Sequence, residues 1–257
     1  MVINMIKVKS CAKVNLMLKV IKKRENGYHE LQMLNQRIPL FDEIVIESSD
    51  EDKIEFVNEN ISAEFLYKVL KKIKSIYNIE KNYFIKIYKN IPVGAGLGGA
   101  SMNAATLIDA ILDDNNIQET INNKITYFKD LGADIPYGFV DKKAIVEGIG
   151  ENIYIIEKEI TNSLVLVNPN INISTKEVFE NNAKYTLKLD HSTIINEDIY
   201  ENDLEEATFK ICPYLKELKE KLSVYGKAVM SGTGSSFIVH TDKYEEIKKE
   251  YPDYLVL

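Results

Sequence analysis

No apolar run in these 257 residues approaches the roughly 18 that a membrane-spanning helix requires. Residues 1–9 do not read as a secretory signal either, because Asn4 and Lys7 break the apolar stretch. The expectation is a cytoplasmic protein with no membrane partner. Cysteine is scarce. Cys11 and Cys212 are far apart and form no disulfide or metal-ligand pattern, so they read as reduced structural thiols. His29, His191 and His240 have no metal-binding spacing. Positive charge is also in deficit: 32 Lys and Arg against 39 Asp and Glu leave a net −7. That excludes the overall basic field of a nucleic-acid binder. It does not exclude an anionic small ligand, since a few lysines and main-chain amides suffice for a local pocket. Internal repeats and low-complexity linkers are missing too.

The chain is 45% apolar and 28% charged, an ordinary balance for a globular protein with room for one large or two modest domains. Alternation in residues 5–21 reads as strand, polar turn, strand, followed by a turn at Arg24-Glu-Asn-Gly27. Strands are expected at 43–47 and 83–89. Between them Ser62 is placed to cap a helix whose stripe is Leu66, Val69, Leu70, Ile73 and Tyr77. Residues 102–112 read as a helix apolar nearly all round. A shorter helix follows and ends at Leu131-Gly132, and strands at 142–147 and 153–157 flank Gly148-Ile-Gly150. Beyond residue 163 come a buried strand at 164–167 and a capping box, Ser174-Thr-Lys-Glu177. Then come a helical stretch at 204–222 broken by Pro213, a strand–glycine turn–strand unit at 229–239, and a last helix at 244–250. The expected division is 1–157 and 158–257.

The densest signal is Pro92-Val-Gly-Ala-Gly-Leu-Gly-Gly-Ala-Ser101, a glycine loop between a strand and an apolar helix. Such a loop crowds main-chain N–H groups around an anion, and the helix aims its positive end at the same point. Three readings compete. Gly94, Gly96 and Gly99 satisfy G-x-G-x-x-G with Asp113 and Asp114 downstream, but a dinucleotide fold needs a strand ending at that acid, and 108–114 reads as helix. A Walker loop needs a lysine, and residues 90–123 contain none. A plain packing turn leaves so many glycines without a use.

A further pattern fits better. Pro-x-x-x-Gly-Leu-Gly with small and hydroxyl residues opening a helix resembles the phosphate loop of the GHMP kinases, which phosphorylate small metabolites. Other segments sharpen the resemblance: Ala12-Lys-Val-Asn15, Gly27-Tyr-His-Glu-Leu31, Gly132-Ala-Asp-Ile-Pro136, Glu147-Gly-Ile-Gly-Glu151, Asn202-Asp-Leu-Glu205 and Ser231-Gly-Thr-Gly-Ser235. In that order they look like the branch acting on 4-diphosphocytidyl-2-C-methyl-D-erythritol, and the similarity spans essentially the whole chain. It implies an α+β, two-lobe GHMP kinase fold with an N-terminal ribosomal-protein-S5-like lobe and a C-terminal ferredoxin-like lobe. It also implies ATP as co-substrate, Mg2+, an acceptor carrying cytidine diphosphate that is phosphorylated on its 2-hydroxyl in the non-mevalonate route, and a monomer or homodimer. Kinases of homoserine, mevalonate or a sugar, and a non-catalytic binder on the same fold, remain the alternatives.

The resemblance assigns ATP phosphates to Pro92, Gly94, Ala95, Gly96, Leu97, Gly98, Gly99, Ala100 and Ser101. Ser101 is the candidate hydroxyl for a phosphate oxygen or a magnesium-bound water. Met102 stands where the family more often has a second serine, so the metal ligands stay open. Asp134 is implied as general base and Lys13 as its charged partner. Asn15, Tyr28, His29 and Thr175 fall at acceptor-binding positions, with an aromatic face for stacking and an imidazole for a polar base edge. Taken alone, Lys13 would read as a solvated strand lysine, Asp134 as a turn-capping acid, Tyr28 as a loop aromatic and His29 as a surface histidine. Lys89 reads as a nucleotide-proximal lysine or a strand-edge charge. The glycine turn at 231–236 either shapes the site or merely joins two strands. Glu147 and Glu151 read as structural.

Overall fold

The computed structural model describes residues 5–157, 163–197 and 199–257. In chain order the elements begin with β1 (Met5–Lys23), β2 (His29–Ser49), β3 (Lys53–Phe56), α1 (Glu64–Tyr77) and β4 (Asn82–Tyr88). Next come α2 (Gly99–Asp114), α3 (Ile121–Phe128), α4 (Ile135–Gly138), β5 (Ala144–Gly148), β6 (Asn152–Ile155) and β7 (Leu164–Asn168). The remainder are α5 (Thr175–Asn181), α6 (His191–Asn196), β8 (Glu201–Asn202), α7 (Glu205–Ile211), α8 (Pro213–Leu222), β9 (Lys227–Met230), β10 (Phe237–His240), α9 (Tyr244–Glu250) and β11 (Leu255–Val256). No helix among the described residues is long and apolar enough to cross a membrane.

Two compact units share the chain. The first comprises Met1–Ala12, Ile38–Ile91 and Gly98–Asp141; the second comprises Lys13–Arg37, Pro92–Leu97 and Lys142–Leu257. The boundary expected at residue 158 falls at 158–162, outside the described residues.

In the first unit β4 pairs in parallel with β3 and antiparallel with the second half of β2, with Ile44 opposite Ile87 and Ile46 opposite Ile85. One face of these β-branched strands is covered by α1, whose stripe Leu66, Val69, Leu70 and Ile73 is buried at helical spacing. The N-cap of α1 is Ala63 and carries no side-chain cap; Ser62, expected there, lies one residue earlier, its hydroxyl accepting from Glu64 N at 3.3 Å. α2 is the expected all-apolar helix, burying Leu107, Ile108 and Ile111 in the same core. It remains helical through Asp114, which removes the strand that a dinucleotide fold needs there.

In the second unit β11, β7, β10 and β9 form an antiparallel sheet in that order. Phe237 of β10 faces Val167 on one side and Met230 on the other. Pro213 does end one helix and open the next. Cys212 between α7 and α8 has φ −133°, and Pro213 takes the first position of α8, where its missing N–H costs no hydrogen bond. Ser174 is the expected N-cap of α5, its Oγ accepting from Glu177 N at 3.3 Å, which is the serine half of a capping box.

A second expectation also fails. Residues 5–21 are a single strand, not strand–turn–strand. The residues between the two alternating stretches are interior: polar Ser10 and small Ala12 are fully buried, and Cys11 Sγ donates to Ile38 O at 2.9 Å. Neither cysteine is in a disulfide.

α4 packs on α2 at Gly138, where an added Cβ would stand 2.4 Å from Ala105 Cβ. Gly138→Ala is therefore expected to lower unfolding stability by about 1–3 kcal/mol, the usual cost of overpacking. Urea titration would measure it. A change indistinguishable from zero would mean that the two helices part freely.

Candidate active site

In the second unit the glycine loop Pro92–Leu97 is held by its carbonyls. Gly94 O accepts from Ile173 N at 3.1 Å, Ala95 O from Ser236 N at 3.2 Å and Leu97 O from Lys13 N at 3.0 Å. Gly96 O accepts from Ser231 Oγ at 2.8 Å. All four of these carbonyls are thus occupied within the protein. The φ values at Gly94, Gly96 and Gly98 are +64°, +75° and +69°, while the side chains of Ala95 and Leu97 are buried. At Gly96 no other residue fits, since a Cβ would lie 2.0 Å from Ser231 O. Left-handed φ at alternate residues is the backbone pattern of an anion nest. The turn at 231–236 is thus part of the loop's foundation.

Lys13 and Asn15 sit beside this loop on β1, only 4% and 1% exposed. Lys13 Nζ donates to Asn15 Oδ1 at 2.9 Å, and Asn15 N donates to Ser231 Oγ at 3.0 Å. A solvated strand lysine is excluded. Thr175, at the start of α5, is exposed and lies 3.2 Å from the hydroxyl of Thr233 in the glycine turn.

The acceptor-side residues are also in this unit. Tyr28 is 57% exposed, its ring unburied on the turn between β1 and β2. His29 is not a bare surface histidine. Its ring stacks on Phe179 at 4.9 Å and lies near-parallel to Tyr185 at 6.4 Å. Burial, helped by the charge of Lys23, lowers its pKa below the ordinary 6.5, so the ring is neutral at pH 7. Sequence reasoning missed Phe179 and Tyr185. The only available hint was an aromatic residue soon after the capping box, which reads equally well as helix packing.

Glu147 is structural, as expected. Burial pushes its pKa up, but Gln32 Nε2 at 2.8 Å, His191 Nε2 at 3.1 Å and Lys188 Nζ at 3.2 Å outweigh that and leave it lowered. Glu151 accepts from Ile149 N at 2.6 Å across the turn.

In the first unit α2 opens from Gly98 with no side chain capping it, which leaves its first amides to an external acceptor. Lys89 lies directly under this end, its Nζ 3.1 Å from where a Cβ of Gly99 would stand. It is no strand-edge charge. It is buried and ion-paired with the fully buried Asp42. The other oxygen of Asp42 accepts from Asn90 N and Ile91 N, both at 2.8 Å, and Asn58 Oδ1 accepts from Lys89 N at 2.7 Å. The strand end entering the loop is therefore clamped from two sides.

Ser101 is in the first turn of α2, its Oγ 3.3 Å from where a Cβ of Gly132 would stand. The Gly132-Ala-Asp134 corner is thereby seated on that turn. Asp134 takes the N-cap position of α4, but its side chain does not cap the helix, which removes the turn-capping reading. Met102 is buried, with Gly138 close to its sulfur, so the hydroxyl missing there would have pointed into the core.

A glycine loop with nest-forming backbone in the second unit and, in the first, a helix start left uncapped beside a buried lysine are features suited to a small-molecule phosphotransferase. The comparisons agree. Residues 64–140 match the GHMP kinases N terminal domain, and residues 189–253 match the GHMP kinases C terminal family. A 4-diphosphocytidyl-2-C-methyl-D-erythritol kinase of Clostridium beijerinckii is 32% identical, covering 97% of this chain and 98% of its own. One from Francisella philomiragia is 37% identical over 89% of this chain and 84% of its own. A solved 4-(cytidine 5'-diphospho)-2C-methyl-D-erythritol kinase superposes with a TM-score of 0.80 at 25% identity, with 98% of each chain covered. A mevalonate kinase reaches 0.69 at 16% identity over 98% of each chain, a likeness of fold alone. The chain belongs to the GHMP kinases, in their 4-diphosphocytidyl-2-C-methyl-D-erythritol kinase family. It is a small-molecule kinase with ATP as co-substrate.

Asp42→Ala would leave the Lys89 ammonium buried without its counter-charge, at a cost of about 3–5 kcal/mol. Denaturant unfolding should show that loss, and Asp42→Leu combined with Lys89→Met should recover much of it. A loss below about 1 kcal/mol, the worth of a surface pair, would refute the burial of the pair.

Proposed function

We propose that the chain transfers the γ-phosphoryl group of ATP to the 2-hydroxyl of 4-diphosphocytidyl-2-C-methyl-D-erythritol, within the non-mevalonate route to isoprenoid precursors. The names of its 30–37% identical relatives support this reading. The observation that carries it on this chain is the aromatic group of Tyr28, His29, Phe179 and Tyr185. A pyrimidine has a use for an exposed ring face beside a neutral imidazole, whereas mevalonate or homoserine offers nothing to stack.

Within this reading the loop residues Pro92, Gly94, Ala95, Gly96, Leu97, Gly98, Gly99, Ala100 and Ser101 bind the ATP phosphates through main-chain amides and the Ser101 hydroxyl. Tyr28 stacks on the cytosine and His29 meets its polar edge. Asn15 contacts the polyol end, and Thr175 lies near the acceptor. Asp134 accepts the proton of the acceptor hydroxyl as its oxygen bonds to the γ-phosphorus and the bond to the ADP oxygen breaks. Lys13 offsets charge on the transferring group. Magnesium suits the oxygen donors here, and Ser101 is the side chain we assign to its shell beside the ATP phosphates. When bound, it would neutralise charge building on the β- and γ-oxygens.

ADP release is expected with the cytidine diphosphate acceptor and absent with mevalonate, homoserine or a free sugar. Asp134→Asn should lower kcat by about 10²- to 10⁴-fold while ATP binding by calorimetry stays close to wild type. Turnover of mevalonate but not of the cytidine compound would overturn the substrate. Full activity in Asp134→Asn would overturn the base.

The depressed pKa of His29 sets a pH dependence. A neutral imidazole offers one donor and one acceptor, and protonation removes the acceptor. KM for the acceptor should be flat at neutral pH and rise as pH falls below 6.5, while KM for ATP stays level. His29→Gln should abolish the rise. An identical rise in that variant would assign the titration to another group.

A further inference from the structure

Asn35 is fully buried on β2, in a segment whose neighbours Met33 and Leu34 are core residues. A buried asparagine is a poor choice there unless its amide is used. Its Oδ1 accepts from Asn15 Nδ2 at 2.6 Å, while its own Nδ2 has no partner. Leaving a buried donor unpaired is a real cost in stability.

The direction of the bonds explains why the cost is borne. An ammonium has donors only, so Lys13 Nζ requires an oxygen, and Asn15 presents Oδ1 to it at 2.9 Å. The amide of Asn15 must then point Nδ2 the opposite way, toward Met33 Sδ at 3.5 Å and Asn35 Oδ1 at 2.6 Å. The sulfur is a weak acceptor, so Asn35 supplies the strong one. Were Asn35 apolar, Asn15 could rotate its amide and withdraw the oxygen from Lys13. All three residues lie in one compact unit, and none is more than 4% exposed.

We propose that Asn35 is a positioning residue for phosphoryl transfer. It fixes the orientation of the Asn15 amide and, through it, the ammonium of Lys13. This rests on the role given to Lys13 under the proposed function. A misplaced catalytic group costs up to about a hundredfold in rate, which sets the scale of the expected effect.

The test uses the full chain with ATP and the cytidine diphosphate acceptor. Asn35→Leu should lower kcat roughly ten- to a hundredfold with KM for ATP and melting temperature nearly unchanged. Asn35→Asp, which keeps the accepting oxygen, should retain most of the rate. In an Asn15→Ala background Asn35→Leu should cost nothing further, because its effect passes through Asn15. Multiplying losses in the double variant, or an Asn35→Asp as slow as Asn35→Leu at equal melting temperature, would overturn the proposal. The 15N signal of the Lys13 ammonium, identified by its loss in Lys13→Met, provides a readout independent of substrate. It should move in Asn35→Leu, and an unmoved signal would refute the link. Failure of the wild-type protein to use the acceptor would instead overturn the substrate reading, with the ammonium signal still deciding the role of Asn35.

Discussion

Four loop carbonyls tied into hydrogen bonds, from Gly94 O through Leu97 O, are the constraint on which the conformation of the glycine loop depends. With those oxygens anchored, left-handed φ at Gly94, Gly96 and Gly98 gives the loop the backbone pattern of an anion nest with no charged side chain in it. The anchoring requires close approach. The main-chain oxygen of Ser231 occupies the space a side chain on Gly96 would need. Ser231 is the shared point of this arrangement, since its hydroxyl donates to Gly96 O and accepts from Asn15 N. One hydroxyl thereby sets the loop and the strand carrying Lys13 by the same bond network.

Charge is handled by burial and pairing. The chain carries a net −7, yet Lys13 and Lys89 are both buried, each with an oxygen partner of fixed geometry. In a low-dielectric interior such a charge acts over a longer range than a surface lysine would. The cost of burying it is offset by Asp42 for Lys89 and partly by the Asn15 amide for Lys13. Function and stability meet at Asp42. It neutralises a lysine under the first residue of α2 and accepts two main-chain amides at the entry to the loop.

Much of this was legible from residue order. The helix carrying Leu66, Val69, Leu70 and Ile73, the break at Pro213, the cap at Ser174 and the largely apolar α2 are local patterns with local causes. The same holds for the glycine loop, whose excess of glycine had no cheaper explanation. Local reasoning misjudged residues 10–12. Polar Ser10 and small Ala12 look like a turn until their burial within one long strand is seen. It also had no means of reaching Phe179, Tyr185 or Asn35. Their significance depends on what lies across the fold, and none stands in a motif of its own.

Sequence alone determined the class of chemistry. It did so by resemblance: the glycine loop and the order of short motifs along the chain look like those of small-metabolite kinases, whereas residue type by itself showed only a loop suited to an anion. Tertiary structure alone decided what each group is paired with. Lys89 became a buried ion rather than an edge charge, His29 a stacked neutral ring, and Asn35 the acceptor for an amide that itself accepts from an ammonium. Those outcomes arise from burial and hydrogen-bond direction, which are fixed only when residues distant in the chain are brought together.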